Sequence, residues 1–389
     1  MKRIAPVLLA LMMLALLTGC ADPAAEYSAA MTLLEAGQYT EAAEKFKSLR
    51  DYEDASMLRT YSEACAMCEA GSYNDGIVQF QMILDFRDSR QRVGYYRIRQ
   101  EESLLAESDW SQMRAVASRY EGLEDFLDAA DRAASLHARA DALLDAGYDA
   151  ASALLAEGRI PEAYRAFAAL DGHRDSAEQL SAIRQSHPLA QFQAAQAGEY
   201  VTFGKYWHTN KNNPMEPLEW LVLAREPGRL LLISRYILVA QQFNRKLDHL
   251  KWEKSSLRTW LNYTFIHEAF TAEEKDKILL TDLPPAGNPE TGAAPSQPSQ
   301  DKVFLLSIDE YQRYFRDAGL DGSAEATVYA CLGGLKSGGT NYYPWWLRSP
   351  GEFSSLAACV QSSGYVEYNG KGLNYKQGVR PALWLSLAP

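Results

Sequence analysis

The chain repeats itself at an interval of 34 residues. The stretch beginning Tyr27-Ser-Ala-Ala-Met-Thr-Leu-Leu-Glu-Ala-Gly aligns with the stretch beginning Tyr61-Ser-Glu-Ala-Cys-Ala-Met-Cys-Glu-Ala-Gly. Gly37 then falls on Gly71, Tyr39 on Tyr73, Phe46 on Phe80 and Asp54 on Asp88. A further copy begins at Tyr148 and sets Gly158, Ala163, Phe167 and Asp175 on Gly37, Ala42, Phe46 and Asp54. Residues 95–147 hold a degenerate unit with Trp110 near the tyrosine position. The spacing predicts a helix-turn-helix unit. Leu33 and Leu34 close its first helix, Gly37 permits the turn, Ala42 allows close approach, and Phe46 and Leu49 fill the interface. Asp54, Asp88 and Asp175 are placed to act as N-caps of the following helices, accepting from otherwise unpaired amides. Such units cannot bury their faces alone and fold as one block.

A period of 34 with Gly, Tyr, Ala and Phe at these positions resembles the tetratricopeptide repeat. It departs from that pattern at the unit's end, where Tyr52-Glu53-Asp54-Ala55 replaces the usual proline turn. The resemblance implies a groove for docking a peptide or protein; the alternative is a spacer that lifts the rest of the chain off a surface. Cys65 and Cys68 form a Cys-x-x-Cys pair, but the repeat aligns them with Met31 and Leu34, interior positions where a thiol packs as a small hydrophobe.

The N-terminus reads Met1-Lys2-Arg3, an apolar run from Ile4 to Leu17, then Leu17-Thr18-Gly19-Cys20. A basic head and a short apolar run are the marks of a secretory signal, and the run is shorter than the roughly 20 residues that a spanning helix needs. The ending resembles a lipobox, which implies a signal peptide over residues 1–19, lipid attached to Cys20, and a tether over residues 20–26. Acyl chains contribute about 0.8 kcal/mol per buried CH₂, enough in pairs to hold a folded body on a membrane. The expected location is the extracytoplasmic face of the cell membrane.

Composition divides the rest. Residues 22–186 carry 30 acids against 17 bases, residues 187–389 carry 20 of each, and seven of the eight tryptophans follow residue 200. An acidic helical half argues against a nucleic-acid partner. The expected organisation is multidomain: an all-α helical repeat over residues 27–186, a linker over 187–198, and an α+β domain over 199–389. In the last, Tyr200–Tyr206 alternates as a strand, and Glu219–Ala224 and Arg229–Ser234 flank a Pro227-Gly228 hairpin turn. Ser255 and Ser307 are positioned as helix caps, and Thr271 with Glu274 as a capping box. Residues 284–300 are expected to be a mobile loop, Val303–Leu306 a strand, and Asn369-Gly370 a turn between strands.

The segments Tyr200-Val-Thr-Phe-Gly-Lys-Tyr, Pro217-Leu-Glu-Trp-Leu-Val-Leu, Ser256-Leu-Arg-Thr-Trp-Leu-Asn, Trp345-Trp-Leu-Arg-Ser-Pro-Gly and Gly378-Val-Arg-Pro-Ala-Leu together resemble an uncharacterised bacterial family, domain of unknown function 6273, over roughly residues 199–387. The last two also resemble the core of C-type-lectin-like domains, especially the formylglycine-generating branch, which implies a compact lectin-like α+β fold. A fold does not carry its function with it.

Motifs for phosphate, dinucleotide, zinc-peptidase or serine-hydrolase chemistry do not occur, so no catalytic residue, metal or cofactor is assigned. Cys331 and Cys359 stand as either a disulfide, which an exported compartment permits, or two buried thiols. Trp345, Trp346 and Arg348 offer either a ligand platform or, the favoured alternative, core packing with Arg348 and Arg380 bracing loops through carbonyls. Phe353, Tyr365, Tyr368, Asn369, Asn374 and Tyr375 combine rigid aromatic area with adaptable amides, the composition of binding loops. The resulting expectation is a membrane-tethered binding or scaffold protein that recognises a protein or glycan of the cell envelope; an envelope enzyme with an unrecognised active site is the alternative.

Overall fold

The computed structural model describes residues 22–124, 126–245, 251–336 and 341–388. The expected signal peptide and Cys20 lie outside the described residues. The chain forms two compact units that divide between Asp149 and Ala150.

In the first unit, helices α1 (Pro23–Glu35), α2 (Tyr39–Leu49), α3 (Ala55–Glu69), α4 (Tyr73–Met82), α5 (Ser89–Ser103) and α6 (Trp110–Glu121) precede α7 (Ala129–Ala156). α1 begins inside the stretch expected as a tether, and Trp110 opens α6 as Tyr39 opens α2 and Tyr73 opens α4. Ala42, Phe46 and Phe80 are fully buried, as the repeat requires. Cys65 and Cys68 are free and buried in the same core, and burial pushes both thiols up to about 12.

The aspartates behave differently from the expectation. Asp54 and Asp88 occupy the N-cap positions of α3 and α5, but neither side chain caps its helix. These carboxylates, and that of Asp128, accept instead from a tyrosine early in the same repeat: Tyr27 Oη donates to Asp54 at 2.5 Å, Tyr61 Oη to Asp88 at 2.5 Å, and Tyr95 Oη to Asp128. The residue ahead of each aspartate, Glu53, Arg87 or Leu127, has φ near +50°. That left-handed residue turns the chain where a proline was absent and leaves the cap residue at ψ near 20° rather than extended. An extended cap is what folds a carboxylate over its own helix. The next residue, Ala55, Ser89 or Ala129, is completely buried, so only a small side chain fits. Arg92 completes the second rung: its Nε donates to Tyr61 Oη at 2.6 Å and to Asp88 at 3.1 Å, and its guanidinium lies over the Tyr61 ring. Arg132 Nε likewise reaches Asp128 at 2.9 Å and donates to Tyr95 Oη at 3.3 Å, whereas the first rung has Leu58 at that place.

The division falls within α7; the second unit continues with α8 (Ile160–Ala168), whose Ala163 and Phe167 are buried like Ala42 and Phe46, and α9 (Ser176–Ser186). Asp175 again provides no side-chain cap. The expected linker is packed structure: α10 (Ala190–Ala194) buries Ala190 and Phe192. Arg225 clamps its end, donating to the carbonyls of Phe192, Gln193 and Ala195 at 2.8–3.2 Å.

Two sheets follow. Strands β1 (Tyr200–Tyr206), β2 (Glu216–Glu226), β3 (Arg229–Ser234) and β11 (Ala382–Ser386) form an antiparallel sheet in the order β1-β2-β3-β11. The β2–β3 turn at Pro227-Gly228 is as expected, with Glu226 opposite Arg229 and Gly228 at φ +80°. Strands β4 (Val239–Gln242), β7 (Trp345–Pro350), β8 (Leu356–Val360), β9 (Val366–Gly372) and β10 (Lys376–Val379) form a second sheet in the order β4-β10-β7-β8-β9, in which only β10 and β7 are parallel. β5 (Thr281–Leu283) and β6 (Ser299–Asp301) pair separately. Between the strands lie α11 (Ser256–Trp260), α12 (Ile266–Ala269), α13 (Ala272–Lys277), α14 (Ile308–Tyr311) and α15 (Val328–Leu332). Ser255 caps α11, and full capping boxes open α13 (Thr271, Glu274) and α14 (Ser307, Glu310).

Three local expectations are corrected. The segment 284–300 is tied down: buried Asn288 donates to the carbonyls of Pro350 at 2.9 Å and Tyr368 at 2.7 Å, and Ser296 is buried. Val303–Leu306 is core but joins the first sheet through a single bridge, Phe304 to Ala382. Asn369-Gly370 lies within β9; Gly370 takes φ +82° against the Ala357 carbonyl, where the β8–β9 register shifts by a bulge.

Replacing Tyr61 by Phe removes the hydroxyl that joins Asp88 and Arg92. We expect the first unit to lose about 1–2 kcal/mol, read from the midpoint of urea unfolding of the whole chain by circular dichroism. An unchanged midpoint would mean that the tyrosine–aspartate rungs do not hold the array.

Candidate functional site

β7 is buried along its entire length. Trp345 and Trp346 point to opposite faces: Trp345 packs on Tyr311 and Phe315 and donates to the Gly322 carbonyl at 3.1 Å, whereas Trp346 packs on Phe243 and donates to the Gln241 carbonyl at 2.9 Å. Arg348 forms a two-pronged ion pair with Glu310, the second contact at 3.1 Å. Glu310 also accepts from the Ser307 amide at 2.8 Å, so the arginine locks the capping box of α14 to β7. Arg380 is buried, donates to the Ser234 carbonyl at 2.7 Å, and lies over the rings of Trp345 and Phe315. These groups are core, with a carboxylate partner for Arg348 that the sequence did not disclose.

The expected binding residues are divided along β9 and do not form one face. Phe353, Tyr365 and Tyr375 are exposed, with 60–66 % of their area open. Tyr365 precedes β9 and lies under Arg316, 4.9 Å from its guanidinium. Phe353 and Tyr375 belong to the other end of β9, where Leu356 pairs with Gly372. At about 3.3 Å per residue the two groups stand on the order of 20 Å apart. Tyr368 is half-buried and accepts from Gln312 at 2.7 Å; Asn369 and Asn374 are exposed, and their backbone carbonyls accept from Glu352 N at 3.0 Å and Gln242 Nε2 at 2.6 Å.

Cys331 and Cys359 are both free. The bridge considered from the sequence is not formed, and the topology explains why. Cys331 lies on α15, which packs on β4, whereas Cys359 lies on β8, three strands away in the same sheet. Three strand spacings are about 14 Å, twice the span of a disulfide. Burial pushes the Cys359 thiol up to about 12.

A concave site forms elsewhere in this unit, from five separated segments. β1 delivers Tyr206, and the turn after it delivers Asn210 and Lys211; β4 supplies Val239, Ala240 and Gln241; α11 ends in Trp260; α12 carries Glu268; α15 carries Tyr329 and Leu332. They enclose a cleft of about 340 Å³. Tyr206 is buried behind the wall, its ring 5.2 Å from Phe265 and 6.1 Å from Tyr329, while Trp260 and Tyr329 are half-buried. Tyr206 Oη donates to Glu268 Oε2 at 3.4 Å, and Lys211 Nζ is 3.9 Å from Glu268 Oε1 and 4.6 Å from the centre of the Trp207 ring. Burial, followed by the Glu268 charge, keeps the Tyr206 phenol protonated by raising its pKa.

A larger and more apolar cleft of about 810 Å³ lies among α8, α10, β1 and α13. Its polar lining is largely engaged: Glu274 closes the α13 capping box and accepts from the Gly204 amide, and Lys277 donates to the Ala388 carbonyl at 2.9 Å. The lining of the smaller cleft is more evenly divided between aromatic and polar groups, which gives it the better means of orienting a ligand. Among the described residues no group of His, Cys, Asp and Glu is arranged for a metal ion, and no helix is long and apolar enough to cross a membrane.

The second unit thus carries an α+β domain with two sheets and a mixed aromatic and polar cleft lined by an outer strand of each. Residues 227–387 of it match the family described as a domain of unknown function, DUF6273. The match starts at the β2–β3 turn, whereas the sheet it belongs to extends back to Tyr200, so Tyr206, Asn210 and Lys211 precede the matched segment. No curated protein and no solved structure matches the chain.

Two predictions follow from this geometry. Arg348→Ala leaves the Glu310 carboxylate half-buried without its partner, and a loss of about 3–5 kcal/mol is expected in urea unfolding of the second unit; a loss under about 1 kcal/mol would mean that the pair is a surface contact in solution. Alkylation of the native chain near pH 8 without reductant should modify Cys331 and spare Cys359 until urea is added. Two cysteines that resist alkylation even after unfolding would reveal the bridge.

Proposed function

We propose that this protein is an extracytoplasmic, membrane-anchored lipoprotein whose C-terminal domain is a binding module for an envelope partner. In this reading lipid on Cys20 holds the chain at the membrane, the helical array is of the tetratricopeptide type, and the second unit carries a lectin-like domain that presents the cleft. The observation that carries the binding role is the cleft itself. It gathers an indole, two phenols, two amides, a carboxylate and an ammonium around one water-open concavity, on rings already backed by the core. A pre-organised wall loses little freedom when a ligand settles on it. The Leu17-Thr18-Gly19-Cys20 ending after a short apolar run supports the anchor.

The anchor and the binding role are tested separately in the same cells. Cys20→Ala is expected to abolish labelling by a palmitate analogue and to remove processing ahead of residue 20; labelling that persists would defeat the anchor. A photo-crosslinking residue placed at Leu332, the exposed rim of the cleft, should yield an envelope adduct on irradiation, while the same residue at exposed Leu104 in the first unit should not. Equal yields at the two positions would defeat the binding role.

A further inference from the structure

We propose that the ligand of the cleft under α15 is a carbohydrate, a neutral sugar unit lying with its C–H face on Trp260 and Tyr329 and its hydroxyls on Glu268, Lys211, Asn210 and Gln241. This rests on the binding role just given and adds the chemistry of what is bound.

Charge makes the first selection. Glu268 and Lys211 sit 3.9 Å apart, so an anion drawn to Lys211 meets the glutamate, and a cation drawn to Glu268 meets the lysine. A ligand carrying a single charge gains little from such a pair, and a zwitterion, which it could match, is told apart from a sugar by the wall beside it. Hydroxyl groups gain from both, because each is donor and acceptor at once: the carboxylate accepts from one and the ammonium donates to another, and bonds to ionised groups are the stronger kind. The Gln241 amide extends the same two-way capacity around the rim, and Asn210, whose Oδ1 already accepts from the Asn212 amide at 2.9 Å, adds its N–H donors.

Shape makes the second. A sugar ring has an apolar C–H face and a polar edge, and the wall is divided in the same way. Trp260 is braced by Phe265 at 5.5 Å, and Tyr329 by Trp207 at 6.0 Å and Tyr206 at 6.1 Å, so both rings are held before any ligand arrives. Val239, Ala240 and Leu332 continue the apolar side. About 340 Å³ is near the lower limit for small-molecule sites and suits one or two sugar rings.

The test is titration calorimetry of the full chain in detergent with glucose, maltose, cellobiose and N-acetylglucosamine, and with choline as a cationic and alanyl-alanine as a zwitterionic probe. At least one sugar is expected to bind saturably. Trp260→Ala should weaken that binding about tenfold or more. Glu268→Gln, which keeps the shape of the side chain, should weaken it about threefold or more. Tyr263→Ala, an exposed ring outside the cleft, should leave it unchanged. Sugar binding that survives both Trp260→Ala and Glu268→Gln overturns the site. Choline or the dipeptide binding in a Trp260-dependent way, with no sugar doing so, overturns the carbohydrate class and leaves the binding role standing. No binding by any probe overturns the carbohydrate class, and with equal crosslinking at Leu332 and Leu104 it overturns the binding role as well.

Discussion

The C-terminal domain is organised around a strand with no exposed side. Trp345–Pro350 runs through the second sheet with all six residues buried, so every polar atom it carries needs a partner inside the protein. The indoles reach the carbonyls of Gly322 and Gln241, one on each face, and the Arg348 guanidinium takes the Glu310 carboxylate. Those partners fix the neighbours in turn. Glu310 is also the third residue of the α14 capping box, and Gln241 lies on β4, the strand that floors the cleft. A buried ion pair of this kind costs desolvation and returns little net stability, but breaking one side of it is expensive. It acts as a registration pin between a helix and a strand.

The helical array has its own recurring pin. A tyrosine early in one unit donates to an aspartate 27 residues later, or 33 in the longer third unit, immediately after a left-handed residue and before a buried small one. The left-handed turn costs roughly 1–2 kcal/mol at a residue with a side chain. It recurs because it aims the aspartate back at the tyrosine early in its repeat rather than down the helix that follows. In the second and third rungs an arginine one turn onward balances the carboxylate and stacks on or bonds the tyrosine. The array is thus joined across its turns by hydrogen bonds as well as by the alanine and phenylalanine contacts between its helices.

The cleft depends on both sheets being complete. Its aromatic wall is anchored by Tyr206 on the outer strand of the first sheet, and its floor is β4, the outer strand of the second. Trp260 and Glu268 come from helical turns joined by the π-helical stretch Leu261–Phe265, whose extra residue per turn changes which side chains face inward. Nothing in local sequence spacing places these groups together.

What could be read directly from the sequence is local and periodic. The 34-residue repeat placed Ala42, Phe46, Phe80 and Phe167 in cores and sorted Cys65 and Cys68 as packing rather than redox groups, because side chains one helical turn apart share a face whatever lies beyond. The Pro227-Gly228 hairpin and the Ser255, Thr271 and Ser307 caps were legible for the same reason: each is settled within four residues of backbone. Tertiary structure decided the rest. Asp54 and Asp88 had two possible partners, and only the turn geometry chose the distant tyrosine. Asn288 pinned a segment whose composition suggested mobility, by reaching carbonyls more than 60 residues away. The exposed aromatics near β9 were divided by the length of a strand, while Tyr206, Lys211, Trp260, Glu268 and Tyr329 were brought into one wall from across 120 residues. Contacts of that range depend on how sheets and helices close on one another, and no short-range pattern records it.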